Sequence, residues 1–136
     1  TLKVTDGSGN AFDITLMAVE DPAAPDNSFD AAQPVNGVPQ RLVGAEVKYT
    51  NTSQVAINGD ANVDFTAVGS NDQTYTSASN GLAVGTNFNF GNYTLAPGEA
   101  ATGWVAFQVP TTVKVTKVIA APGLGIGGTN GEWDVP

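Results

Sequence analysis

The chain contains neither cysteine nor histidine. The first absence excludes disulfides, thiol nucleophiles and iron–sulfur ligation; the two together exclude zinc sites of the Cys/His type and a Ser-His-Asp relay. General acid–base work would fall to Asp, Glu, Lys or Tyr. Basic residues are scarce as well, five Lys and Arg against 13 Asp and Glu, for a net charge of −8. This balance argues against nucleic acid as a partner, since phosphate binding needs clustered Lys and Arg, and against adsorption to anionic lipid through protein charge. There is no apolar run of about 18 residues, so no transmembrane helix is expected. Lack of cysteine leaves the compartment open, because a domain of this size can bury on the order of two-thirds of its unfolded surface without covalent staples. Nothing calls for a cofactor or a metal.

What the 136 residues do offer is strand and turn chemistry: the charged share is 13%, with 16 glycines and 8 prolines. Exposed helices would want more Lys, Glu and Arg. The clearest example is Thr94-Leu95-Ala96-Pro97-Gly98-Glu99 running into Gly103-Trp104-Val105-Ala106-Phe107-Gln108-Val109. Pro97 presets φ for the first central position of a type II turn, and Gly98 supplies the positive φ of the second. Val105, Phe107 and Val109 then point one way and Trp104, Ala106 and Gln108 the other, the period of a half-buried strand ending at Pro110.

Similar readings place strands at Leu2 to Thr5, Ala11 to Val19, Arg41 to Thr50, Val63 to Ala67, Gln73 to Thr76, Val113 to Ala121 and Glu132 to Val135. In the third, Val43, Ala45, Val47 and Tyr49 share one face, leaving Leu42, Gly44, Glu46 and Lys48 on a polar one. Gly69-Ser70-Asn71-Asp72 joins the fourth and fifth as a hairpin. Residues 21–40 carry Pro22, Pro25, Pro34 and Pro39 and form a long loop, either functional or packed down on the body. Residues 77–92 read as a second loop with at most one short edge strand, and 123–131 as a glycine-rich tail segment. No helix is expected. About seven to nine short strands with regular turns predict one all-β domain over 1–136, an immunoglobulin-like antiparallel β-sandwich without a disulfide.

Three constellations bear on chemistry. Asp60-Ala61-Asn62-Val63-Asp64 opens like a calcium loop, but the sixth position is Phe65 instead of Gly and the twelfth is Asn71 instead of Glu. Alternation instead predicts Asp60, Asn62 and Asp64 as the solvated face of a strand opposite Val63 and Phe65. Paired carboxylates such as Asp60, Asp64 and Glu99 could serve a hydrolase only if a cleft brought them together. Trp104, Phe88, Phe90 and Tyr93 form the candidate binding set: exposed, they would stack on a sugar or anchor a protein; packed, they belong to the core. Two matches to the N-glycosylation pattern, at Asn51 and Asn92, are expected in a chain so rich in Asn and Thr and carry no weight.

The order of these pieces resembles a family. Phe12-Asp13-Ile14-Thr15, a proline-rich loop, Arg41-Leu42-Val43-Gly44-Ala45-Glu46-Val47-Lys48-Tyr49-Thr50-Asn51-Thr52, then Asp64-Phe65-Thr66 with Gln73-Thr74-Tyr75, then Leu95-Ala96-Pro97-Gly98-Glu99 with Gly103 to Pro110 are similar to the secreted immunoglobulin-like domains of unknown function of actinobacterial and other Gram-positive exported lipoproteins. The superfamily includes a small immunogenic secreted mycobacterial antigen. The likeness spans roughly Phe12 to Ala121. It implies a cell-surface or extracellular β-sandwich, with any export signal or lipid anchor upstream of Thr1, and brings no catalytic residues with it.

The expectation is a non-enzymatic extracytoplasmic binding or accessory module of the cell envelope, with a protein or envelope partner. A carbohydrate-binding module using the four aromatics is the alternative, and a carboxylate-based hydrolase the third reading.

Overall fold

A computed structural model describes residues 1–125 and 127–136. Ten strands follow in order: β1 (Leu2–Thr5), β2 (Ala11–Glu20), β3 (Gln40–Asn51), β4 (Ile57–Asp60), β5 (Phe65–Gly69), β6 (Thr74–Ala78), β7 (Asn92–Leu95), β8 (Ala100–Pro110), β9 (Val115–Ala120) and β10 (Gly131–Asp134). One helical turn, α1 (Ala61–Asp64), separates β4 from β5, and short 3-10 turns occupy Ser28–Asp30 and Pro122–Gly125.

Eight strands run β1-β2-β3-β8-β6-β5-β9-β10, all antiparallel, and β4 pairs with β7 in a small separate ribbon. The turn that rolls the large sheet into a sandwich lies in β6. Its first residues pair with β5, Thr74 to Val68 through Thr76 to Thr66, and its last pair with β8, Ser77 to Phe107 and Ala78 to Ala106. One layer is therefore β1-β2-β3-β8 and the other β5-β9-β10. The two open ends also meet, since Thr5 and Thr129 exchange backbone and hydroxyl hydrogen bonds of 3.0 to 3.2 Å.

Alternation chose the inner faces. Phe12 and Ile14 of β2, Val43 to Tyr49 of β3, Val105 to Val109 of β8, Phe65 and Ala67 of β5, and Val115, Val118 and Ala120 of β9 form one buried cluster. Each large side chain buried there stabilises the fold by about 1.5–3 kcal/mol. A smaller cluster sits on the outer face of β3 and β8, where Leu42 and Ala106 are covered by Ala23 and Leu82. The predicted polar face of β3 is thus only half polar: Leu42 and Gly44 are buried and Lys48 is exposed. The long 21–40 loop supplies part of that cover. It is tied down by Ala23 N–H donating to Leu42 O and by pairing between Pro25 and Leu82.

The Pro97–Gly98 turn is as expected, with Gly98 at φ +82° and Glu99 N–H donating to Ala96 O at 2.9 Å. Two expectations are corrected. The ribbon strand β4 was not read, because Ile-Asn-Gly-Asp carries no alternation and is a strand only through its pairing with β7. The stretch Asp60 to Asp64 is a capped helical turn and not a strand with a solvated acidic face. Asp60 accepts from Asn62 N–H at 2.9 Å, which turns Val63 out to 50% exposure and Asp64 inward to 3%. In the glycine-rich segment 123–131, Ile126 lies outside the described residues.

Candidate functional site

Only the C-terminal part of β8 has β6 beside it; from Ala100 to Val105 that edge is open. The loop between β6 and β7 wraps this edge. On the outer face, Gly85 lies against the indole of Trp104 so closely that a Cβ there would come within 2.5 Å of the ring. At the edge itself Trp104 N–H donates to Thr86 O at 2.9 Å. On the inner face the Phe88 ring lies over Gly103, where a Cβ would stand 2.7 Å from it. The lack of side chains at Gly85 and Gly103 lets the loop straddle the strand.

To make that passage the loop adopts left-handed backbone at two bulky residues, Phe88 (φ 47°) and Phe90 (φ 52°). Such a conformation is uncommon outside Gly, Asn and Asp and costs roughly 1–2 kcal/mol per residue. Reciprocal hydrogen bonds between Asn89 and Asn92 and a bond from Gly91 N–H to Asn87 O hold the turn. The two rings have opposite fates. Phe88 turns inward, 5.9 Å from Tyr49 and 6.2 Å from Tyr93 between ring centroids, while Phe90 stands 88% exposed. Two amide oxygens around this turn, of Asn62 and Asn87, are shielded from solvent and accept no hydrogen bond.

Beneath the loop lies a buried acid. Asp64 accepts at Oδ2 from the hydroxyls of Tyr49 (2.7 Å) and Tyr93 (3.0 Å), and at Oδ1 from Gly123 N–H (3.1 Å). Desolvation pushes its pKa up, partly offset by those hydrogen bonds. Burial next to this carboxyl likewise raises both phenols, Tyr49 and Tyr93, well above the usual tyrosine value. All three groups anchor one another inside the sandwich. They form a structural knot that joins α1 to β3 and β7.

The open feature is a groove of about 580 Å³ between the 26–30 turn and the β6–β7 loop. Its lining includes Asp26 and Asp30 from the turn and Gly81, Leu82, Thr86, Asn87 and Phe90 from the loop. Asn27 caps the 3-10 turn, accepting from Phe29 and Asp30 N–H. A second cleft of about 410 Å³ opens at the far end, between Leu16 to Val19 and Val135.

Of the four aromatics singled out by the sequence, Tyr93 is buried, Phe88 and Trp104 are half-buried against the core, and Phe90 is free. The structure therefore splits the expected platform and leaves Phe90 and, on the facing turn, Phe29, which is 96% exposed and was not anticipated. Asp60, Asp64 and Glu99 each serve a local role; Glu99 accepts from Ala96 N–H within its own turn. Asn51, one of the two glycosylation matches, is wholly buried and donates to Val55 O and Leu95 O. Among the described residues no group of three or more metal-ligating side chains occurs, and no helix is long and apolar enough to cross a membrane.

This arrangement, two antiparallel layers closed through β6 with a strained loop over one open strand edge, defines an immunoglobulin-like β-sandwich. Within that class, the chain belongs to the family described as a domain of unknown function, DUF4352, which matches residues 10–130. No curated protein shows significant similarity to it. Three solved structures share its fold. A putative lipoprotein, YcdA, of Bacillus subtilis superposes with a TM-score of 0.63 at 14% identity over 90% of this chain, which spans 36% of that protein. The secreted protein MPT63 of Mycobacterium tuberculosis gives 0.63 at 18% identity, with 98% of this chain and 91% of that one covered. YjhA of Bacillus subtilis gives 0.62 at 14% identity, with 99% and 96% covered. The resemblance drawn from the order of sequence motifs is thus to the right family.

Proposed function

We propose that the domain is a non-catalytic binding module of the extracytoplasmic cell envelope and that its ligand occupies the groove between residues 26–30 and 79–90. The observation that carries this reading is Phe90: a bulky residue held in left-handed backbone with its ring 88% exposed at the rim of a groove. Strain of this kind concentrates at ligand sites, and Phe90 gains nothing from core packing in return. Family membership and the descriptions of the similar structures as lipoprotein and secreted protein support the location. The non-catalytic half is supported by the local roles of Asp60, Asp64 and Glu99. Sugar stacking is the second reading, favoured by the same ring and limited now to Phe90, since Tyr93 is buried and Trp104 is covered by Gly85.

Co-sedimentation of the purified domain with an insoluble bacterial envelope fraction tests the proposal. The wild-type chain is expected to sediment and Phe90→Ala to remain in solution. Equal retention of the two would remove the groove from the account, and absence of any retention would remove the envelope. Fractionation of cells producing the full-length protein tests the location.

A further inference from the structure

We infer that Asn36 is a site of spontaneous covalent modification: its side-chain amide is lost to attack by the Gly37 backbone nitrogen, and the fold singles it out among four sequences capable of the same reaction.

The chain holds four Asn-Gly pairs, Asn36-Gly37, Asn58-Gly59, Asn80-Gly81 and Asn130-Gly131. Glycine leaves the nitrogen that follows asparagine uncrowded and the backbone free to swing, so each pair is able to close a succinimide ring. In that step a bond forms between the glycine nitrogen and the asparagine Cγ. The Cγ–Nδ2 bond breaks, and the proton of the attacking nitrogen leaves with Nδ2 as ammonia. Water, the sole co-reactant, then opens the ring at one of its two carbonyls. Opening at Cγ leaves an aspartyl residue; opening at the backbone carbonyl routes the main chain through Cβ and Cγ as an isoaspartyl residue.

Three of the pairs are held. Asn58 and Gly59 pair with Thr94 and Tyr93 across the β4–β7 ribbon, and Gly59 lies against the Tyr93 ring. Asn80 donates from Nδ2 to Asp30 O at 2.7 Å, and Gly81 O accepts from Asp26 N–H at 3.0 Å. Gly131 is buried and starts β10 opposite Ala120, while Thr129, just before that pair, is bonded to Thr5.

Asn36-Gly37 is placed differently. It forms the tip of a hairpin in which Val35 and Val38 exchange N–H to O bonds of 3.0 and 2.9 Å. Both residues of the turn have positive φ, 51° and 78°, as type I′ requires. Among the described residues neither the Asn36 side chain nor the Gly37 N–H has a hydrogen-bond partner, and the segment 33–39 is exposed throughout. In this turn type the Gly37 nitrogen points away from the Asn36 side chain, so ring closure waits for the turn to open. Little holds it shut. Gln33 N–H goes to Gln108 Oε1 and Gln40 belongs to β3, so the Val35–Val38 pair is the whole ladder. The base stays pinned by that Gln33 bond, by Gln40 Nε2 to Val38 O and by Thr111 N–H to Pro39 O. The tip therefore frays without disturbing the sandwich. Either product adds a negative charge to a chain already at −8. An aspartyl residue tolerates left-handed backbone and keeps the turn. An isoaspartyl residue lengthens the main chain inside a two-residue turn and breaks the reciprocal valine bonds.

The test is incubation of the full chain in mildly alkaline buffer, folded and in urea, with peptide mapping by mass spectrometry over time. In the folded chain Asn36 is expected to deamidate roughly tenfold faster than the other three, since paired elements open only at free energies nearer the global value. In urea all four should react at similar rates. Labelling with an isoaspartyl methyltransferase should mark position 36, and the isoaspartyl form should lose hydrogen-exchange protection at the Val35 and Val38 amides. Asn36→Gly, which suits the same turn, should abolish the label, with an unchanged thermal midpoint to verify folding. Faster reaction at another pair, or equal rates at all four in the folded chain, would overturn the assignment. The same order of rates in urea as in the folded chain would trace the preference to local sequence and overturn the role of the fold. An Asn36 amide that survives in the folded chain after the unfolded chain has reacted to completion would overturn the site itself.

Discussion

Three donors converge on the Asp64 carboxylate in a place that water does not reach, and desolvation still dominates its titration. Its folded pKa lies above the ordinary 3.8, so the folded chain holds this proton more tightly than the unfolded one. The sign follows: the contribution of this group to stability is fullest below the unfolded pKa and is lost as pH rises through the folded value. Urea denaturation across the acid range should show the wild type losing stability relative to Asp64→Asn as pH rises above about 4; parallel profiles would mean that folding does not change the Asp64 pKa. The two phenols act at the other end of the scale. Raised above 10.0, they favour the folded state below that pH and lose this advantage as pH climbs past it. Tyr93→Phe should cost about 1–2 kcal/mol near neutrality, from the lost bond to Asp64, and should shift the alkaline unfolding edge upward. Phe88 and Phe90 share a strained backbone but differ in burial, so glycine at each should act in opposite directions. Phe90→Gly relieves strain and loses little packing, for a gain of about 0.5–1 kcal/mol. Phe88→Gly empties the space beside Tyr49 and Tyr93 and should cost about 2–4 kcal/mol. Thermal unfolding of the pair checks both signs.

The β6–β7 loop matters as an element because β8 is longer than its neighbour. The edge left open from Ala100 to Val105 must find partners for its backbone, and Thr86 O takes the Trp104 N–H. Gly103→Ala would drive a methyl group into the Phe88 ring, a close contact that should cost about 1–3 kcal/mol and lift the loop. Faster hydrogen exchange at the Trp104 amide, with a red shift of its emission, is the expected signature; an unchanged amide would show that the loop is held elsewhere. The strand itself was legible because Gly103 to Val109 alternates and is bracketed by a Pro-Gly turn and Pro110. The loop's path was not, since residues 77–92 have no period and their course depends on where β6 ends and β8 lies bare. The reading of Asp64 failed for a related reason. Alternation counted from Phe65 puts it outside, but a capped helical turn after Asp60 changes the phase by which side chains face inward.

As a whole, the molecule is one rolled eight-stranded sheet with the β4–β7 ribbon beside it, and the two ends of the large sheet are tied at Thr5 and Thr129, which leaves short edges in place of long ones. β10 is the cover of β9, and Trp133 and Val135 pack on the core from it. Removing residues 131–136 should lower the thermal midpoint by 10 °C or more, roughly the effect of losing about 3 kcal/mol, and should produce self-association by exposing the β9 edge. Light scattering of the truncated chain at increasing concentration measures this; a stable monomer would show that β10 is dispensable.

The sequence by itself determined the class. Strand periodicity, turn residues such as Pro97 and Gly98, and the absence of cysteine, histidine and clustered base are local or compositional facts that no tertiary contact can revise. They led to an all-β sandwich and to its family, and they exclude thiol and histidine chemistry within these 136 residues. What only the tertiary structure decided was which side chains are free. Phe88 and Phe90, two residues apart in one aperiodic loop, differ in nothing the sequence shows, and neither does the sequence say whether Trp104 and Tyr93 are covered. Their fates were set by a loop crossing a bare strand edge, by Gly85 and Gly103 admitting it, and by a buried carboxyl drawing two tyrosines inward. Burial is a property of residues far apart along the chain, and so is the groove, which is lined from both the 26–30 turn and the 79–90 loop.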